Sequence, residues 1–445
     1  MPTTKKTKAA DKPATNGTTA TKKRKTADEA PARPAKKVKV AEKAVINQPP
    51  PPVKLDVFVC GAGDSGELGL GTAKNAINVK RPRLNQQLAA NTVGVVQIAA
   101  GGMHALALTH DNKVLSWGVN DQGALGRDTT WEGGMKEMDD ASDDSDSESG
   151  DDAGLNPLES TPTAIPQDKF PEGTVFTQVA AGDSCSFALT DEGLVYGWGT
   201  FRVSISSPSL PFNANTHQSI EGVFGFSATS KTHVTLVQKD PTLVPGLRKI
   251  VQIACGANHV LARDVNGNAY AWGSGQQNQL GRRITERNKT EGLTPREFGG
   301  PLKKKVKYVA CGADHSFAVD TKDNVWAWGI NNFGETGIPE NAGESNAAIV
   351  KPTKVESLKG KRIRVLNGGA HHSVGVTEEG ECLVWGRLDG YQLGIKIDTL
   401  PVDDPDKVKR SEGAEGKPGQ PRILLVPTAV PSKCAWRSDM ETLAC

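Results

Sequence analysis

The sequence predicts an all-β protein of the β-propeller type, built from about six repeats of roughly 56 residues. Three observations predict this fold. The dipeptide Trp-Gly, or Cys-Gly in the first repeat, recurs at spacings of 57, 81, 74, 56 and 57 residues. A G-x-x-H motif or a close variant precedes each dipeptide except the first, and a Gly-rich turn follows most of them. Each repeat therefore predicts short strands joined by regular turns.

Residues 1–54 precede the repeats and form a predicted disordered basic tail. They carry 14 Lys and Arg against 4 Asp and Glu, and no aromatic residue that would support a core. Such a tail attracts DNA phosphates without sequence preference. Two basic clusters resemble a bipartite nuclear-import signal, which predicts a nuclear-import receptor as a partner: Lys22, Lys23, Arg24, Lys25, Lys36, Lys37 and Lys39.

The first repeat opens with VFVCGAGDSGELGLG, residues 57–71, in which three glycines have the G-x-G-x-x-G spacing of a dinucleotide-binding turn. A dinucleotide turn opens a helix and occurs once in a domain. Here Gly-rich turns recur along the chain, and no amphipathic helix pattern follows them. The motif is therefore interpreted as a propeller turn, and no cofactor is predicted.

Two intervals between repeats are longer than the others and predict insertions. One contains an acidic loop, residues 132–156, whose segment 139–152 holds eight acidic residues and no basic one, which favours a disordered loop. Ser145 and Ser149 each have an acidic residue three positions on, so acid-directed phosphorylation is a hypothesis for both. The other contains residues 203–218, which match nothing in the other repeats and are interpreted as an atypical insert, with a retained intron as the hypothesis.

The propeller is predicted to span residues 55–431, with a divergent end over residues 432–445. After Trp385, the next Trp-Gly is due near residue 442, and the sequence there contains none. The expectation is an incomplete ring that lacks a final blade. An open ring exposes sheet edges, so a truncated or mis-spliced product is one hypothesis.

Composition argues against several other classes of protein. The chain has no N-terminal apolar segment and no run of 18 apolar residues, so neither secretion nor a membrane partner is predicted. Seven cysteines without a C-x-x-C pair predict a reducing compartment and no metal site. The repeats share a histidine that is expected to make structural hydrogen bonds: His104, His259, His315 and His372, with Cys185 replacing it once.

The repeats, with SWGVNDQGALGRD, GTFR and GGAHH, resemble the regulator of chromosome condensation family from about residue 55 to about residue 431. This resemblance implies a seven-bladed propeller. It also implies a chromatin-associated guanine-nucleotide exchange factor in the nucleus, which promotes GDP/GTP exchange on the GTPase Ran without covalent catalysis. The cellular processes implied are nucleocytoplasmic transport and the assembly of the mitotic spindle and the nucleus.

The resemblance also implies a GTPase-binding surface. Asp183 of AGDS, the second histidine of GGAHH, His372, and Arg282 of QLGRR match positions of that surface. Asn258 stands where the family has an acidic residue. A hairpin wedge after GTFR is implied as well, interrupted here by residues 203–218, and its matching residues are Phe201, Arg202, Glu221, Gly222 and Val223.

The basic segment 282–298 matches a family loop that reaches the histone acidic patch. The resemblance implies a nucleosome contact through Arg287, Lys289 and Arg296, since Arg suits bidentate contacts with carboxylates. A solvated loop without a partner remains open at this point. A propeller scaffold that binds chromatin or protein partners without exchange activity is the alternative function.

Overall fold

A computed structural model describes residues 44–51, 53–132, 154–202, 223–224, 237–298, 300–411 and 419–430. Side chains are described for these residues except 223–224 and 286–289. The import clusters, most of the acidic loop, the insert 203–218 and residues 432–445 lie outside the described part.

The strands form one blade after another in chain order, and all neighbouring strands pair antiparallel. The first sheet contains β1 (Phe58–Gly61) and β2 (Val79–Leu84). The second blade contains β3 (Val95–Ala100), β4 (His104–Thr109), β5 (Val114–Gly118) and β6 (Thr163–Ala164). The third blade contains β7 (Phe176–Ala181), β8 (Cys185–Thr190), β9 (Val195–Gly199) and β12 (Gln238–Leu243), and a separate two-stranded hairpin pairs β10 (Phe201–Arg202) with β11 (Val223–Phe224).

Three further blades follow. The fourth contains β13 (Ile250–Cys255), β14 (His259–Asp264), β15 (Ala269–Gly273) and β16 (Arg296–Glu297). The fifth contains β17 (Val306–Cys311), β18 (His315–Asp320), β19 (Val325–Ile330) and β20 (Ala348–Lys354). The sixth has the order β21 (Ile363–Gly368), β22 (His372–Thr377), β23 (Cys382–Arg387), β25 (Pro421–Ala429) and β24 (Val408–Arg410). The predicted all-β propeller with six repeats is confirmed.

Helical structure is confined to short turns in the described residues. One α-helical turn, Pro157–Ser160, is capped by the Asn156 side chain, which accepts a hydrogen bond from the Leu158 amide. The 3₁₀ turns are Lys74–Ala76, Gln86–Leu88, Gln167–Lys169, Glu286–Leu293, Gly300–Leu302, Glu356–Leu358 and Ile397–Thr399. Within the described ranges, no helix has the length and apolar character needed to span a membrane.

The core lies between successive blades, whose facing sheets pack against one another. Strands β4, β8 and β18 are buried over their whole length, and their sequences are correspondingly apolar. Apolar clusters join the second blade to the third and the third to the fourth, and a larger one joins the fourth to the fifth and sixth. The tryptophan of each Trp-Gly pair is at most 1% exposed: Trp117, Trp198, Trp272, Trp328 and Trp385.

A hydrogen-bond relay connects neighbouring blades. Between the second and third blades, the Ser186 hydroxyl donates to the Ala124 carbonyl, which also accepts from Trp198 Nε1, each at 2.8 Å. His104 Nε2 lies 2.8 Å from Ser186 Oγ. Because the hydroxyl proton is directed to the carbonyl, the histidine nitrogen must donate to the hydroxyl oxygen. We call this arrangement the blade relay.

The blade relay recurs at two other interfaces with the same geometry. His259 contacts Ser316 between the fourth and fifth blades, and His315 contacts Ser373 between the fifth and sixth, each at 2.8 Å. The receiving carbonyls belong to the Gly-rich turns, at Gln279 and Glu335. The predicted structural role of the shared histidine is therefore confirmed for His104, His259 and His315.

The interface between the third and fourth blades lacks the relay. Cys185 stands at the histidine position and Val260 at the serine position, and both are fully buried. The third repeat has the β10 and β11 hairpin where other repeats have the Gly-rich turn. The Trp272 indole nitrogen is fully buried and has no hydrogen-bond partner among the described residues. Apolar packing against Phe187, at 5.8 Å between ring centroids, holds this joint instead.

A second set of contacts surrounds the central channel. The Gln97, Gln178 and Gln252 side chains each accept a hydrogen bond from a backbone amide on the innermost strand of the next blade, at 2.8 to 3.1 Å. In the fifth blade Tyr308 replaces the glutamine, and its hydroxyl donates to the Leu366 carbonyl at 3.2 Å. The innermost strands of five blades line a cavity of about 1020 Å³.

Residues 46–51, Val53 and Leu55 also line this cavity. The Asn47 side chain donates to the carbonyls of Thr190 and Ile250, at 2.9 and 2.8 Å, and so links the third blade to the fourth. The Leu55 amide donates to the Val95 carbonyl at the start of β3. The part of the predicted tail from residue 44 onward is thus held against the blades by backbone and amide hydrogen bonds.

Burial of the relay histidines lowers their pKa. Burial brings the pKa of His104 to about 4 and those of His259 and His315 to about 3, with neighbouring histidines contributing at His315. All three imidazoles are therefore neutral in the folded protein at pH 7, and the relay places the single ring proton on Nε2. The unfolded chain, in contrast, has histidines of ordinary pKa near 6.5.

We expect replacing Trp328 with Phe to cost more than the same change at Trp272. Both substitutions remove equal volume from fully buried sites, but only Trp328 donates a hydrogen bond, to the Gln279 carbonyl at 2.8 Å. The difference in unfolding free energy should be about 1–2 kcal/mol. Urea unfolding of Trp328→Phe and Trp272→Phe measures it. An equal or larger cost at Trp272 would contradict the assignment of that joint as unbonded.

Acid should destabilise the protein through the relay histidines. Because their pKa is lower in the folded than in the unfolded chain, the unfolded state binds more protons below pH 6.5, so stability is lost as the pH falls from 6.5 toward 4. Each histidine should contribute about 1.4 kcal/mol per pH unit in that range. Urea unfolding at pH 7.5, 6.0 and 5.0 measures the slope.

A double variant provides the matched control for this pH dependence. His259→Cys with Ser316→Val reproduces the pair found naturally at Cys185 and Val260, so it removes one titrating relay while keeping a known interface. The unfolding free energy of the double variant should change less steeply with pH than that of the unmodified protein. A slope unchanged in the double variant would show that the relay histidines do not cause the acid sensitivity.

Candidate functional site

The residues between the first and second strands of successive blades form one rim of the propeller, which we call the motif rim. A chain of backbone hydrogen bonds joins its neighbouring blades. Gly102 donates to Asp183, Asp183 to Ala257, Ala257 to Ala313 and Ala313 to Gly369, at 2.7 to 3.2 Å. This rigid backbone presents side chains that differ from repeat to repeat, and variable polar positions on a fixed scaffold are typical of a binding surface.

Three of the predicted GTPase-surface residues meet at the third and fourth blades. Asn258 Oδ1 accepts the backbone amide of Arg202 at 2.7 Å. Arg202 Nε lies 3.5 Å from Asp183 Oδ2, with side-chain exposures of 42% and 33%. The base of the β10 and β11 hairpin is therefore fixed to the motif rim by one amide hydrogen bond and one partly exposed ion pair.

Phe201 occupies a different environment from the other predicted surface residues. Its side chain is fully buried and stacks on Phe187 at 6.2 Å between ring centroids. Alternation along β10 then leaves the next residue, Arg202, exposed. Phe201 thus anchors the hairpin in the core shared by the third and fourth blades. The sequence could not show that Phe201 points inward, because β10 has only two residues and its register is needed to tell which of them is buried.

The fifth and sixth blades bring acidic and imidazole groups together on the same rim. His371 Nδ1 lies 3.3 Å from Glu335 Oε1, and the Glu335 side chain is fully buried. Burial raises the pKa of Asp314. The nearby carboxylates of Glu335 and Asp183 raise this pKa further, whereas His371 lowers it. The Gln279 side chain donates to Asp314 at 3.2 Å. Asp183, Asp314, Glu335 and His371 thus interact electrostatically on this rim.

His372, the predicted contact from GGAHH, begins β22 and is partly buried. Burial and the adjacent His371 lower its pKa. It occupies the relay position of the sixth blade, and the described residues include no relay serine from a following blade. The neighbouring His371 is the more strongly directed toward the rim carboxylates, so the prediction for this motif applies equally well to the preceding residue.

Arg282 is held by its own blade. Its guanidinium donates to the carbonyls of Ala271 and Glu291, at 3.0 and 3.3 Å, and burial lowers its pKa to about 10. Arg127, at the matching position of the second repeat, likewise donates to the Ser116 and Leu158 carbonyls. The repeat of this contact indicates that Arg282 secures the loop that follows the Gly-rich turn.

The predicted histone-contacting loop starts from that anchor. Arg296 is exposed and lies 3.4 Å from the Glu291 carboxylate. Arg287 and Lys289 lie in the 3₁₀ turn Glu286–Leu293, and their side chains are outside the described set. Of the predicted wedge, Val223 pairs with Arg202 through the backbone, whereas Glu221 and Gly222 lie outside the described residues.

Two further features of the described residues concern metal ligands and thiols. Over these residues, no group of three or more His, Cys, Asp or Glu is placed to hold a metal ion. The thiols of Cys185 and Cys311 have a strongly raised pKa because they are buried. The motif rim is a charged, partly exposed surface with the β10 and β11 hairpin beside it, and such a surface suits protein recognition.

Sequence reasoning missed a cluster between the fifth and sixth blades. The guanidiniums of Arg387 and Arg422 both lie over the Phe333 ring, at 5.0 and 4.9 Å from the ring centroid. These residues come from a Gly-rich turn and two different strands, so nothing in their spacing brings them together. Tyr391, in the next Gly-rich turn, is 80% exposed. A comparison of the repeats would have shown it as an exception, because other repeats have Gly or Asn at that position.

Residues 56–432 match the family model for the RCC1-like domain. Among curated proteins, the chain is 43% identical over 354 residues to guanine nucleotide exchange factor SRM1 of Saccharomyces cerevisiae, covering 78% of this chain and 67% of that protein. It is 38% identical over 386 residues to protein pim1 of Schizosaccharomyces pombe, covering 86% of this chain and 61% of the relative. The chain thus spans about two thirds of the length of these relatives.

Solved structures give the same result. The crystal structure of Prp20p from Saccharomyces cerevisiae, described with its binding properties to Gsp1p and histones, matches with a TM-score of 0.70 and 37% identity, covering 87% of this chain and 77% of that one. The structure of Kap60 bound to yeast RCC1 (Prp20) matches with the same TM-score and identity, covering 86% of this chain and 74% of that one.

The hydrogen bond from Arg202 to Asn258 should control the base of the hairpin. Asn258→Ala removes the acceptor, so the Arg202 amide should exchange with solvent about tenfold faster, since the bond contributes about 1.4 kcal/mol. Hydrogen exchange followed by NMR measures this. The Thr200 amide, which donates to the Ser184 carbonyl, is the internal control and should be unchanged. Equal protection of Arg202 in both proteins would contradict the assigned contact.

Proposed function

We propose that this chain, which belongs to the RCC1-like domain family, is a guanine nucleotide exchange factor for the GTPase Ran. The observation that carries the proposal is the cluster of Asp183, Arg202 and Asn258, where a hairpin is fixed to the rim of a rigid propeller. The similarity to SRM1, itself named an exchange factor, supports the same activity. The chain would act by binding, without covalent catalysis.

Exchange follows from linkage between two binding equilibria. A factor that binds the nucleotide-free GTPase more tightly than the loaded one must weaken nucleotide binding by the same factor. Each tenfold of weakening corresponds to about 1.4 kcal/mol of differential binding. A rigid rim suits this task. A surface that adapts to both the loaded and the nucleotide-free GTPase would bind the two with similar affinity. The blade relay and the glutamine contacts supply that rigidity.

Each part of the site has a defined task in the proposed mechanism. The hairpin that begins at Arg202 inserts near the phosphate-binding elements of the GTPase. Asp183, Asp314 and the buried Glu335 create a negative rim that competes with phosphate and disturbs the environment of its Mg²⁺. Phe201 keeps the base of the hairpin in place from within the core. Excess GTP then reloads the emptied GTPase.

Nuclear and chromatin association belong to the same proposal. The basic clusters of residues 22–39 would bind a nuclear-import receptor, in line with the Kap60 complex of the yeast relative. The tail and the loop with Arg287, Lys289 and Arg296 would bind DNA phosphates and the histone acidic patch. Prp20p, whose description includes histone binding, supports this assignment. The proposed location is chromatin in the nucleus.

Asp183→Ala should slow the release of labelled GDP from Ran by about tenfold or more, equivalent to about 1.4 kcal/mol of lost transition-state stabilisation. The physical reason is the loss of the rim charge that also orients Arg202. Stopped-flow release of fluorescent GDP measures the rate, and a melting curve checks the fold. Asp168→Ala, which removes an exposed aspartate from a 3₁₀ turn of the same repeat, is the matched control.

Three outcomes separate the alternatives. Slower release by Asp183→Ala alone supports exchange through the rim. Release unaffected by both variants, with the unmodified protein active, refutes the assignment of Asp183. No acceleration by the unmodified protein refutes exchange activity and favours a propeller scaffold that binds chromatin or protein partners.

A further inference from the structure

One backbone position has the same left-handed conformation in five repeats. It is the residue two places before the conserved Leu-Gly or Thr-Gly of the Gly-rich turn, and its φ lies between 59° and 78°. Gly or Asn, which adopt this conformation readily, occupy it in four repeats. The sixth repeat has Tyr391, with φ of 59°. The five residues are Gly66, Gly123, Asn278, Gly334 and Tyr391.

Tyr391 gains little within the chain that would offset this conformation. Its side chain is 80% exposed, the largest exposure among the large hydrophobic residues of the described ranges. A bulky residue in the left-handed region is a conformational outlier, and such outliers cluster at ligand-contacting sites. The aromatic ring therefore costs folding stability while it stands in solvent.

The surface beside Tyr391 combines aromatic and cationic groups. The Arg387 and Arg422 guanidiniums both lie against the Phe333 ring, and the His371 ring lies 4.8 Å from that ring between centroids. Flat guanidiniums held against a ring keep a fixed orientation, which reduces the entropy lost when they bind a ligand. We call Phe333, Arg387, Arg422 and Tyr391 the stacked-arginine surface.

The stacked-arginine surface carries excess positive charge. Arg387 Nε contacts Asp389 Oδ1 at 2.5 Å, and Arg422 Nε lies 3.9 Å from the other oxygen of the same carboxylate. Two guanidiniums thus share one carboxylate. Their side chains are 38% and 47% exposed, so each retains donors that reach solvent. Guanidiniums with free donors favour a carboxylate or phosphate ligand.

This surface adjoins the motif rim that holds Asp183. The Arg387 amide donates to the carbonyl of His371, in the same way that the Thr200 amide donates to the carbonyl of Ser184 in the third blade. Asp314 lies within electrostatic range of both His371 and Asp183. A partner seated on the rim at Asp183 thus approaches the fifth and sixth blades from the same side.

We propose that the stacked-arginine surface is a second GTPase contact, which binds a carboxylate-bearing segment of the GTPase with Tyr391 packed against it. This inference rests on the proposed function. Tyr and Arg are among the residues most enriched at energetically dominant contacts, and Tyr391 lies two residues from Asp389, the carboxylate that both arginines contact. Acidic groups near Asp183 and cationic groups here give the rim two signs of charge, so that only one orientation of the partner satisfies both.

Tyr391→Asn should produce a protein that is more stable and binds less well. Asn suits the left-handed backbone, so the melting temperature should rise by about 2 °C. Loss of the ring should weaken binding to nucleotide-free Ran about tenfold. Tyr391→Phe keeps the ring and should bind nearly as tightly as the unmodified protein. Binding of the full chain is measured by biolayer interferometry and stability by calorimetry.

Arg422→Gln tests the charge independently of the backbone. It should weaken binding of nucleotide-free Ran about tenfold, and it should reduce the salt dependence of that binding between low and moderate NaCl concentrations. Arg422→Lys, which keeps the charge but loses the planar stack on Phe333, should fall between the two. Asp168→Ala again serves as the surface control.

The outcomes distinguish the second contact from the exchange function itself. If Asp183→Ala weakens binding while Tyr391→Asn and Arg422→Gln bind as the unmodified protein does, the second contact is refuted and the exchange function stands. If the unmodified protein does not bind nucleotide-free Ran, both are refuted. If these two variants lose binding to purified core histones and keep binding to Ran, the surface serves a histone and the proposal is overturned.

Discussion

The structure depends on one interaction, the convergence of a buried indole and a buried hydroxyl on the same turn carbonyl of the preceding blade. The carbonyl of Ala124 receives Trp198 and Ser186, and the histidine of the preceding blade completes the contact. Because each such joint fixes a strand of one blade to a turn of another, the position of a rim residue is determined by two blades at once. A binding surface spread over several blades needs that precision, and no single blade provides it.

The motif rim is consequently a surface of fixed backbone and variable charge. Asp183, Asp314 and Glu335 supply negative charge, whereas Arg387 and Arg422 supply positive charge farther round. The two regions are connected through His371. A partner recognises such a surface by matching its charge pattern, which the rigid blade backbone holds in place. This explains why the repeats share the backbone and differ at the positions between the glycine and the histidine of each motif.

The repeat unit and its structural residues could be predicted from the sequence, because the Trp-Gly dipeptides and histidines recur at the blade spacing. Asp183, Arg202 and Asn258 were also predicted as a surface, and in the structure they lie in contact with one another. Phe201 and Arg282 were predicted on the same surface. Phe201 is fully buried, and the Arg282 guanidinium donates to carbonyls of its own blade, which only strand register and loop packing reveal. The stack on Phe333 joins residues distant in sequence through blade packing, so no local pattern contained it.

The joint with Cys185 and Val260 has a mechanical consequence. Joints in series deform first at the weakest one. This joint lacks the relay hydrogen bonds, although Gln178 and Asn47 still link its two blades. The same joint lies directly beneath the hairpin, where Trp272 has no bonded partner among the described residues. A load applied to the hairpin would deform this joint first, while the remaining joints keep their alignment.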